Sequence, residues 1–195
     1  TVSTTDGFGI NTSTPRYTLA VSGTAYISGT TTISSRLEVE GRVPKPKHTG
    51  AISDSGTTYL NGAGQMFISG EYAYVTAFVS NALTILNIND PTSPKFVGSI
   101  AGSGSVELTG ASTVWVQGRY AYVTAYSGNA LTVIDVSNPA APVWVSTLAD
   151  GGASAPFLSA PTQVFVQGNY AYVAAYSDNA LQIIDISDPY NMKPV

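Results

Sequence analysis

The chain has 195 residues, of which 44% are hydrophobic and 10% are charged, against roughly 25% charged in an ordinary soluble domain. This hydrophobic content supports a packed core and excludes a disordered chain, while the absence of cysteine excludes disulfides and thiolate metal sites. The net charge of −4 excludes a nucleic-acid partner, which needs a basic surface, and no apolar run has the length that a membrane-spanning helix requires.

Hydroxyl residues replace charged ones on the predicted surface. The chain contains 22 serines and 22 threonines, a composition that suits a protein that packs against its own copies or carries sugars. It begins at Thr1 without a methionine and shows no charged-then-apolar leader. We therefore expect a processed or excised segment of an exported protein, located outside the cell or on its surface.

The first predicted element is a repeating segment at 19–42. Read in groups of six, LAVSGT, AYISGT, TTISSR and LEVEGR, it has an aliphatic residue in the same slot of each group: Val21, Ile27, Ile33 and Val39. Hexapeptide repeats of this kind form β-helices, but four groups are too few to bury that slot within one chain. We predict that residues 1–43 form a β-helix-like assembly arm that requires other chains.

The stretch GFGINTSTPRYTLAVSG carries a pattern of glycine, hydroxyl and aliphatic residues. Its matching positions are Gly7, Gly9, Ile10, Thr12, Ser13, Pro15, Leu19, Val21 and Gly23. It resembles the opening segments of phage tail-fibre-like and other fibrous surface proteins, which implies a stalk or assembly segment. Asn11 begins an Asn-Thr-Ser tripeptide that fits an N-glycosylation acceptor, although unmodified serine and threonine are the more ordinary interpretation.

The segment PKHTGAI at 46–52 is a copy of a later one. It matches PKFVGSI at 94–100 in proline, lysine, glycine and isoleucine, and Pro46, Pro94 and Pro142 recur at intervals of 48 residues. This register predicts a displaced copy of one strand of the repeats that follow. The residues expected to form this strand's assembly contacts are Pro46, Lys47, His48, Gly50 and Ile52.

From residue 65 onward one unit is repeated three times. The copies are QMFISGEYAYVTAFVSNALTILNINDPTSP at 65–94, TVWVQGRYAYVTAYSGNALTVIDVSNPAAP at 113–142 and TQVFVQGNYAYVAAYSDNALQIIDISDPYN at 162–191. Gly70, Gly118 and Gly168 mark them at spacings of 48 and 50 residues. A period of this size is typical of propellers and repeat arrays.

Each unit divides into short strands. The segment 120–126 alternates tyrosine or threonine on one face with alanine or valine on the other, and ALTVIDV at 130–136 is rich in β-branched residues. Proline at Asn138-Pro139 stops pairing before a fourth strand, PVWVSTL, at 142–148. No segment has helical periodicity. The predicted fold class is all-β, with three four-stranded propeller-like blades.

The pieces ALTVIDVSNPAAP and ALQIIDISDPYN, each preceded by a strand such as NYAYVAAYSDN, resemble the LVIVD repeat. The resemblance covers residues 44–195, the predicted second domain. It implies β-propeller blades of a kind found mainly in exported and surface proteins, and it implies no catalytic residue, because the family has no common active-site motif. Asn87 stands where the other units have Asp135 and Asp185, so these aspartates are interpreted as turn or strand-edge residues rather than ligands.

The sequence predicts neither enzyme activity nor a cofactor or metal site. His48 is the only histidine, and general acid–base catalysis would need a second positioned group beside it. The glycine-rich stretches at 61–65 and 101–105 lack the lysine and helix of a phosphate-binding loop. The aspartate-proline turns lack the alternating acids of a calcium loop.

The third unit ends in YNMKPV, without an evident fourth strand. We therefore predict that 46–52 fills this place in the last blade. Two closures fit the sequence: return within the same chain, or insertion into the third blade of another copy. Insertion into another copy is favoured, because propellers usually have four to eight blades and three are too few for an easy ring.

Two functions are compatible with this organisation. The leading hypothesis is a non-enzymatic structural subunit of an extracellular fibre or filament, which self-assembles by strand exchange and has itself as partner. The alternative is an adhesin-like binding module, a closed propeller on a stalk that recognises carbohydrate or protein, with glycans as candidate partners.

Overall fold

The computed structural model describes residues 47–151 and 157–195 of the chain, all within a compact unit spanning Lys47–Val195. In these residues it contains three antiparallel sheets of four strands. The first sheet consists of β1 (Ala63–Ser69), β2 (Tyr72–Ala77), β3 (Ala82–Asn87) and β4 (Lys95–Ala101). The second consists of β5 (Ala111–Gln117), β6 (Tyr120–Ala125), β7 (Ala130–Asp135) and β8 (Val143–Ala149). The third consists of β9 (Pro161–Gln167), β10 (Tyr170–Ala175), β11 (Ala180–Asp185) and β12 (Lys193–Pro194).

The prediction of an all-β fold with three four-stranded blades is confirmed. Within each sheet the strands follow chain order, so that neighbours in sequence are also neighbours in the sheet. Over 47–151 and 157–195, no helix is long and apolar enough to cross a membrane. We refer to the three sheets as the first, second and third blades.

Local sequence explains the hairpins. Ser69 pairs with Tyr72, so the first two strands are joined by a two-residue turn that contains Gly70. Gly70 has a φ of 59°, a backbone conformation that glycine adopts without the steric cost of a Cβ. The same glycine recurs in the other blades, which explains the repeat spacing seen in the sequence.

The blades pack face to face, and their first strands lie nearest to one another. β1 contacts β5, and β5 contacts β9. One cluster of buried side chains lies between the first and second blades, and a second cluster lies between the second and third. The three blades do not close into a ring, so the first and third each have one face without a neighbouring blade among the described residues.

The expectation that the third blade lacks its own fourth strand is wrong. β12 pairs with β11, joining Lys193 to Asp185 and Pro194 to Ile184, and the Val195 N–H donates to the carbonyl of Ile183 at 3.0 Å. The strand was missed because it has two residues, against seven in β4 and β8, and because the other blades carry a proline where this one has methionine.

Residues 47–52 do not fill a place in the third blade. They form no strand and lie beside the first blade, where Ile52 packs against Val75 and Leu86. A Cβ added to Gly50 would lie 2.4 Å from the Pro91 carbonyl oxygen, just as a Cβ on Gly98 of β4 would lie 2.5 Å from that of Pro139. The segment therefore occupies the place that a fourth strand of a preceding blade would have.

Several predictions fall outside the described residues. They are the β-helical arm with Val21, Ile27, Ile33 and Val39, the glycosylation acceptor Asn11, and Pro46 of the displaced strand. The division into domains at 1–43 and 44–195 stays a prediction.

Candidate functional site

In the first and second blades, apolar residues of the third strand are buried against the next blade. Leu83 and Ile85 of β3 are fully buried in one cluster with Val114 of the second blade. Leu131 of β7 is fully buried in the next cluster with Val164 of the third blade. The same repeat positions thus make the same contact in two successive interfaces.

Tyrosines of the second strands complete these cores. Tyr74 lies in the cluster between the first two blades, and Tyr122 lies in the cluster between the second and third. Burial raises the pKa of Tyr122 to about 12 and also raises the pKa of Tyr74, because the charged phenolate loses its water. These side chains therefore act in packing between blades, as their recurrence at one strand position suggests.

In the first and second blades, an asparagine in the hairpin between the second and third strands accepts a hydrogen bond from the next blade. The side-chain oxygen of Asn81 accepts the N–H of Gly110 at 2.7 Å, and that of Asn129 accepts the N–H of Ala160 at 2.8 Å. Both asparagines have a φ of 51°, a left-handed conformation that asparagine tolerates better than most residues. Asn179 has a φ of 53° at the same place in the third blade.

The first strands are linked by a second repeated hydrogen bond. The side-chain oxygen of Gln65 accepts the N–H of Val114 at 2.8 Å. In the next interface, the hydroxyl oxygen of Thr113 accepts the N–H of Val164 at 3.0 Å. Gln163 has this position in the third blade.

An aromatic ladder runs across the first strands. The ring of Trp115 lies 4.9 Å from that of Phe67 and 4.3 Å from that of Phe165, in tilted arrangements that aromatic pairs favour. The ladder ends at Phe165, whose outer face has no further ring among the described residues.

The outer face of the third blade is open and apolar. Leu181 is 64% exposed, whereas Leu83 and Leu131 at the same repeat position are fully buried. Phe165 is also exposed on this face. Asn179 and Gln163 lie at the positions that form hydrogen bonds between blades elsewhere. This face, defined by these four residues of the third blade, is called the leading face.

The opposite face of the first blade is open as well. Met66 is 59% exposed, whereas Val114 and Val164 at its position are buried, and Ile68 is 58% exposed. A cavity of about 300 Å³ opens on this face. It is lined by Ile52, Ser53, Asp54, Leu60, Ala63, Gly64, Met66, Val75 and Leu86. We call this surface, with Met66, Ile68 and the cavity, the trailing face.

The charged groups lie away from these faces or are satisfied locally. Arg119 forms an ion pair with Asp135, and its hydrogen bonds lower the pKa of that carboxyl to about 2. Asp54, in the cavity lining, accepts hydrogen bonds from the Leu60 N–H at 3.0 Å and the Thr58 hydroxyl at 3.2 Å. The Leu60 bond is the main cause of the lowered pKa of Asp54. Neither carboxylate needs an external cation.

The interpretation of the repeated aspartates as turn residues is confirmed. The side-chain oxygens of Asn87, Asp135 and Asp185 each accept the N–H two residues ahead, at 3.0, 2.9 and 2.8 Å. Asparagine serves this purpose as well as aspartate, which explains the substitution in the first blade. In the parts of the chain that are described, no three histidine, cysteine or acidic residues cluster as a metal site would require.

Only part of the predicted assembly strand lies at the trailing face. Lys47 and His48 are exposed at the edge of the first blade, Gly50 abuts the loop before β4, and Ile52 lines the cavity. The leading and trailing faces themselves were not foreseen. The available signal was the tripeptide Asn-Ala-Leu, which recurs at 81–83, 129–131 and 179–181. Its presence in the third blade indicates the same kind of surface that contacts the next blade in the first two.

Three four-stranded sheets, stacked face to face in one repeat register, define a β-propeller-type repeat protein. The LVIVD repeat matches residues 62–101, 110–150 and 161–194, more than half of the chain. The chain therefore belongs to the LVIVD repeat family. No curated protein matches its sequence at a significant level.

Solved structures with a similar fold include proteins that are named as gluconolactonases. A periplasmic gluconolactonase of Pseudomonas aeruginosa has a TM-score of 0.58 and 17% identity, over 70% of this chain and 39% of that one. A candidate 6-phosphogluconolactonase of Bacteroides fragilis has a TM-score of 0.58 and 14% identity, over 70% and 38%. A Lactobacillus plantarum protein has a TM-score of 0.56 and 12% identity, over 68% and 40%. At these identities the likeness establishes the fold, and this chain spans about two fifths of each structure.

The prediction of a fibre subunit formed by strand exchange is wrong. The structural neighbours are gluconolactonase-like propellers, and none supports a fibre. The prediction depended on an unfilled place in the third blade, which β12 occupies. The resemblance of the first residues to tail-fibre segments is not supported by the family match, which begins at residue 62.

Proposed function

We propose that this chain is a non-catalytic array of three blades that binds further propeller blades through its leading and trailing faces. The observation that carries this proposal is the exposure of Leu181, 64% against complete burial of Leu83 and Leu131. Isolated exposed leucines are common, but this one lies with an exposed phenylalanine and with two polar residues whose counterparts in the other blades form hydrogen bonds to the next blade. Propellers contain about four to eight blades, so an array of three is expected to bind further blades.

The leading face has the composition expected of a surface that becomes buried. It combines apolar and aromatic anchors with side-chain oxygens that accept specific backbone N–H groups, as the two sealed interfaces do. None of its four defining residues is charged. The leading face therefore contributes no ion of its own to the desolvation cost when a blade docks on it.

A tandem protein, in which two copies are joined by a flexible linker, tests whether these faces bind blades. The linker gives the second copy a high effective concentration at the leading face of the first. If the faces bind blades, the tandem unfolds at a higher urea concentration than the single chain. The matched control carries Leu181→Asp in both copies, and it should lose this gain. A tandem no more stable than the single chain, or a gain that survives Leu181→Asp, contradicts the proposed function.

Sugar-lactone hydrolysis, the activity in the names of two structural neighbours, is a second candidate. It is carried by those names and the shared fold, at 14% and 17% identity. The non-catalytic proposal predicts that the purified chain releases acid from gluconolactone no faster than buffer does. A rate above buffer that scales with protein concentration contradicts it. An exported location and glycan partners stay predictions from the sequence.

A further inference from the structure

We propose that the leading and trailing faces are the two halves of one interface, and that a second copy of the chain occupies them, so that two copies close a ring of six blades. This inference rests on the proposed function and adds the identity of the partner. The leading face of each copy then docks on the trailing face of the other.

The cavity on the trailing face has the position of a socket for the leucine of a preceding blade. Four of its lining residues correspond by repeat position to buried residues of the second blade. The first blade has Leu60, Met66, Val75 and Leu86 where the second has Leu108, Val114, Val123 and Ile134. In the sealed interface those four share a cluster with Leu83 and Ile85. By the same register, Leu181 and Ile183 of a second copy enter the cavity.

The hydrogen-bonding groups correspond as well. Gly62 precedes β1 as Gly110 precedes β5, so its N–H is the matching donor for the side-chain oxygen of Asn179 in a second copy. The N–H of Met66 corresponds to that of Val114, which is accepted by Gln65. Gln163 of a second copy is the matching acceptor. A small molecule in the cavity would satisfy neither correspondence.

The aromatic ladder continues across the same junction. Phe165 ends the ladder on the leading face, and Phe67 begins it on the first blade. Docking in repeat register therefore places Phe165 of one copy beside Phe67 of the other. Such a pair stabilises an interface beyond its buried area.

Two copies are the smallest number that closes a propeller of ordinary size. The two faces differ, so the interface is of the head-to-tail kind, which forms a ring when the rotation closes. Two copies of three blades give six, within the range of about four to eight. Both complementary halves are present on this chain, so a second copy can occupy both faces.

One segment must adjust for the second copy to dock. The contact of Gly50 with Pro91 puts residues 47–52 in the register of a fourth strand. By that register, Lys47 and His48 stand where Lys193 and Pro194 of the docking blade would lie. Both are exposed and belong to no strand, so they can move without loss of pairing.

Complementation between two variants tests the junction. Leu181→Asp damages only the leading face, and Met66→Lys damages only the trailing face; both positions are exposed in the single chain, so each variant should fold. Sedimentation velocity should show the unaltered chain as a two-chain particle. Each variant alone should be a single chain, with dimer affinity reduced by roughly 100-fold or more. Their mixture should form a mixed dimer, because one junction is intact and the other pairs Asp with Lys.

Val143→Asp is the matched control, since Val143 is 60% exposed on a fourth strand away from both faces, and it should leave the dimer intact. A circular-dichroism spectrum and urea unfolding verify that each variant is folded. A single chain at every concentration, or open-ended particles, overturns the two-copy ring, as does a dimer that tolerates Leu181→Asp or variants that fail to complement. If the tandem protein gains stability while separate chains stay single at every concentration, the faces bind blades when linked, but the two-copy ring of separate chains is overturned. If the tandem gains nothing, the proposed function fails as well.

Discussion

The second and third blades have nearly the same residues at the same repeat positions, yet these residues lie in different surroundings. Leu131 is fully buried beneath the third blade, whereas Leu181 faces outward. Asn129 accepts a hydrogen bond from the next blade, whereas Asn179 holds the same backbone conformation at an open face. Whether a residue is buried in this fold therefore depends on the neighbouring blade. The residue type at each repeat position indicates whether a neighbouring blade is expected to cover it.

The largest difference is expected from the paired leucines. Leu131→Ala should lower the free energy of unfolding by about 2–5 kcal/mol, because it leaves a cavity in a sealed core. Leu181→Ala should cost less than about 1 kcal/mol in the dissociated chain, since little buried contact is lost. Urea unfolding of dilute protein measures both. Equal costs would mean that the leading face is covered within a single chain.

Two glycines in equivalent contacts sharpen the comparison. A Cβ at Gly98 or at Gly50 would lie about as close to a proline carbonyl oxygen, at 2.5 and 2.4 Å. Gly98→Ala should cost about 1–3 kcal/mol, because β4 is held in a ladder and cannot move away. Gly50→Ala should cost less than about 1 kcal/mol, since its segment belongs to no strand. Thermal unfolding of the two variants decides the point, and an equal loss would show that residues 47–52 are as firmly held as β4.

A comparison of Asn129 with Asn179 measures the contribution of one hydrogen bond between blades. Asn129→Gly and Asn179→Gly both replace a left-handed asparagine by glycine, so the backbone effects match. Only Asn129 loses a bond to the next blade, so its variant should be less stable than the other by about 1 kcal/mol in the dissociated chain. Urea midpoints give the difference. A larger loss for Asn179 would place its main contact inside the third blade.

The smallest effect concerns acid. The second blade pairs Arg119 with Asp135, whereas the third has Asn169 at the arginine position beside Asp185. Because Arg119 holds the pKa of Asp135 near 2, against an ordinary 3.8, the pair's stabilisation is present above about pH 4 and is lost as the pH falls through 2. Its contribution should be the smallest of those considered, since Arg119 is exposed and solvent screens the pair.

Unfolding of Arg119→Gln and the unaltered chain, followed from pH 6 to pH 2, tests this pair. The advantage of the unaltered chain should shrink toward the acid end. Asn169→Gln is a matched control that removes no ion pair. A constant advantage across this range would mean that the pair does not contribute to stability.

Much of the fold could be predicted from the sequence because its determinants are local. Alternation in the segment 120–126, the glycine in each first hairpin and the proline turns are all short-range features, and each forms the predicted structure. The fourth strand of the third blade was missed because β12 has two residues and lacks the proline that marks the others. A pattern search finds a strand of seven residues more easily than a strand of two.

The candidate faces could not be predicted in this way because exposure is a property of the assembly. Leu181 lies in the same Asn-Ala-Leu context as Leu83 and Leu131, so its sequence predicts a buried residue. Only the structure shows that the covering blade is absent from the described part of the chain. Residues 47–52 form no strand, and they lie beside the first blade rather than in the third, where the displaced strand was predicted.

The most direct measurement uses the two methionines of the chain. Met66 lies on the trailing face, 59% exposed, whereas Met192 is buried in the third blade. Peroxide oxidation of each, followed by mass spectrometry over a wide range of protein concentration, reports the cover on that face, with Met192 as internal control. We expect Met66 to oxidise quickly in dilute protein and to become protected as concentration rises, while Met192 stays slow throughout. Rapid oxidation of Met66 at every concentration would contradict the account.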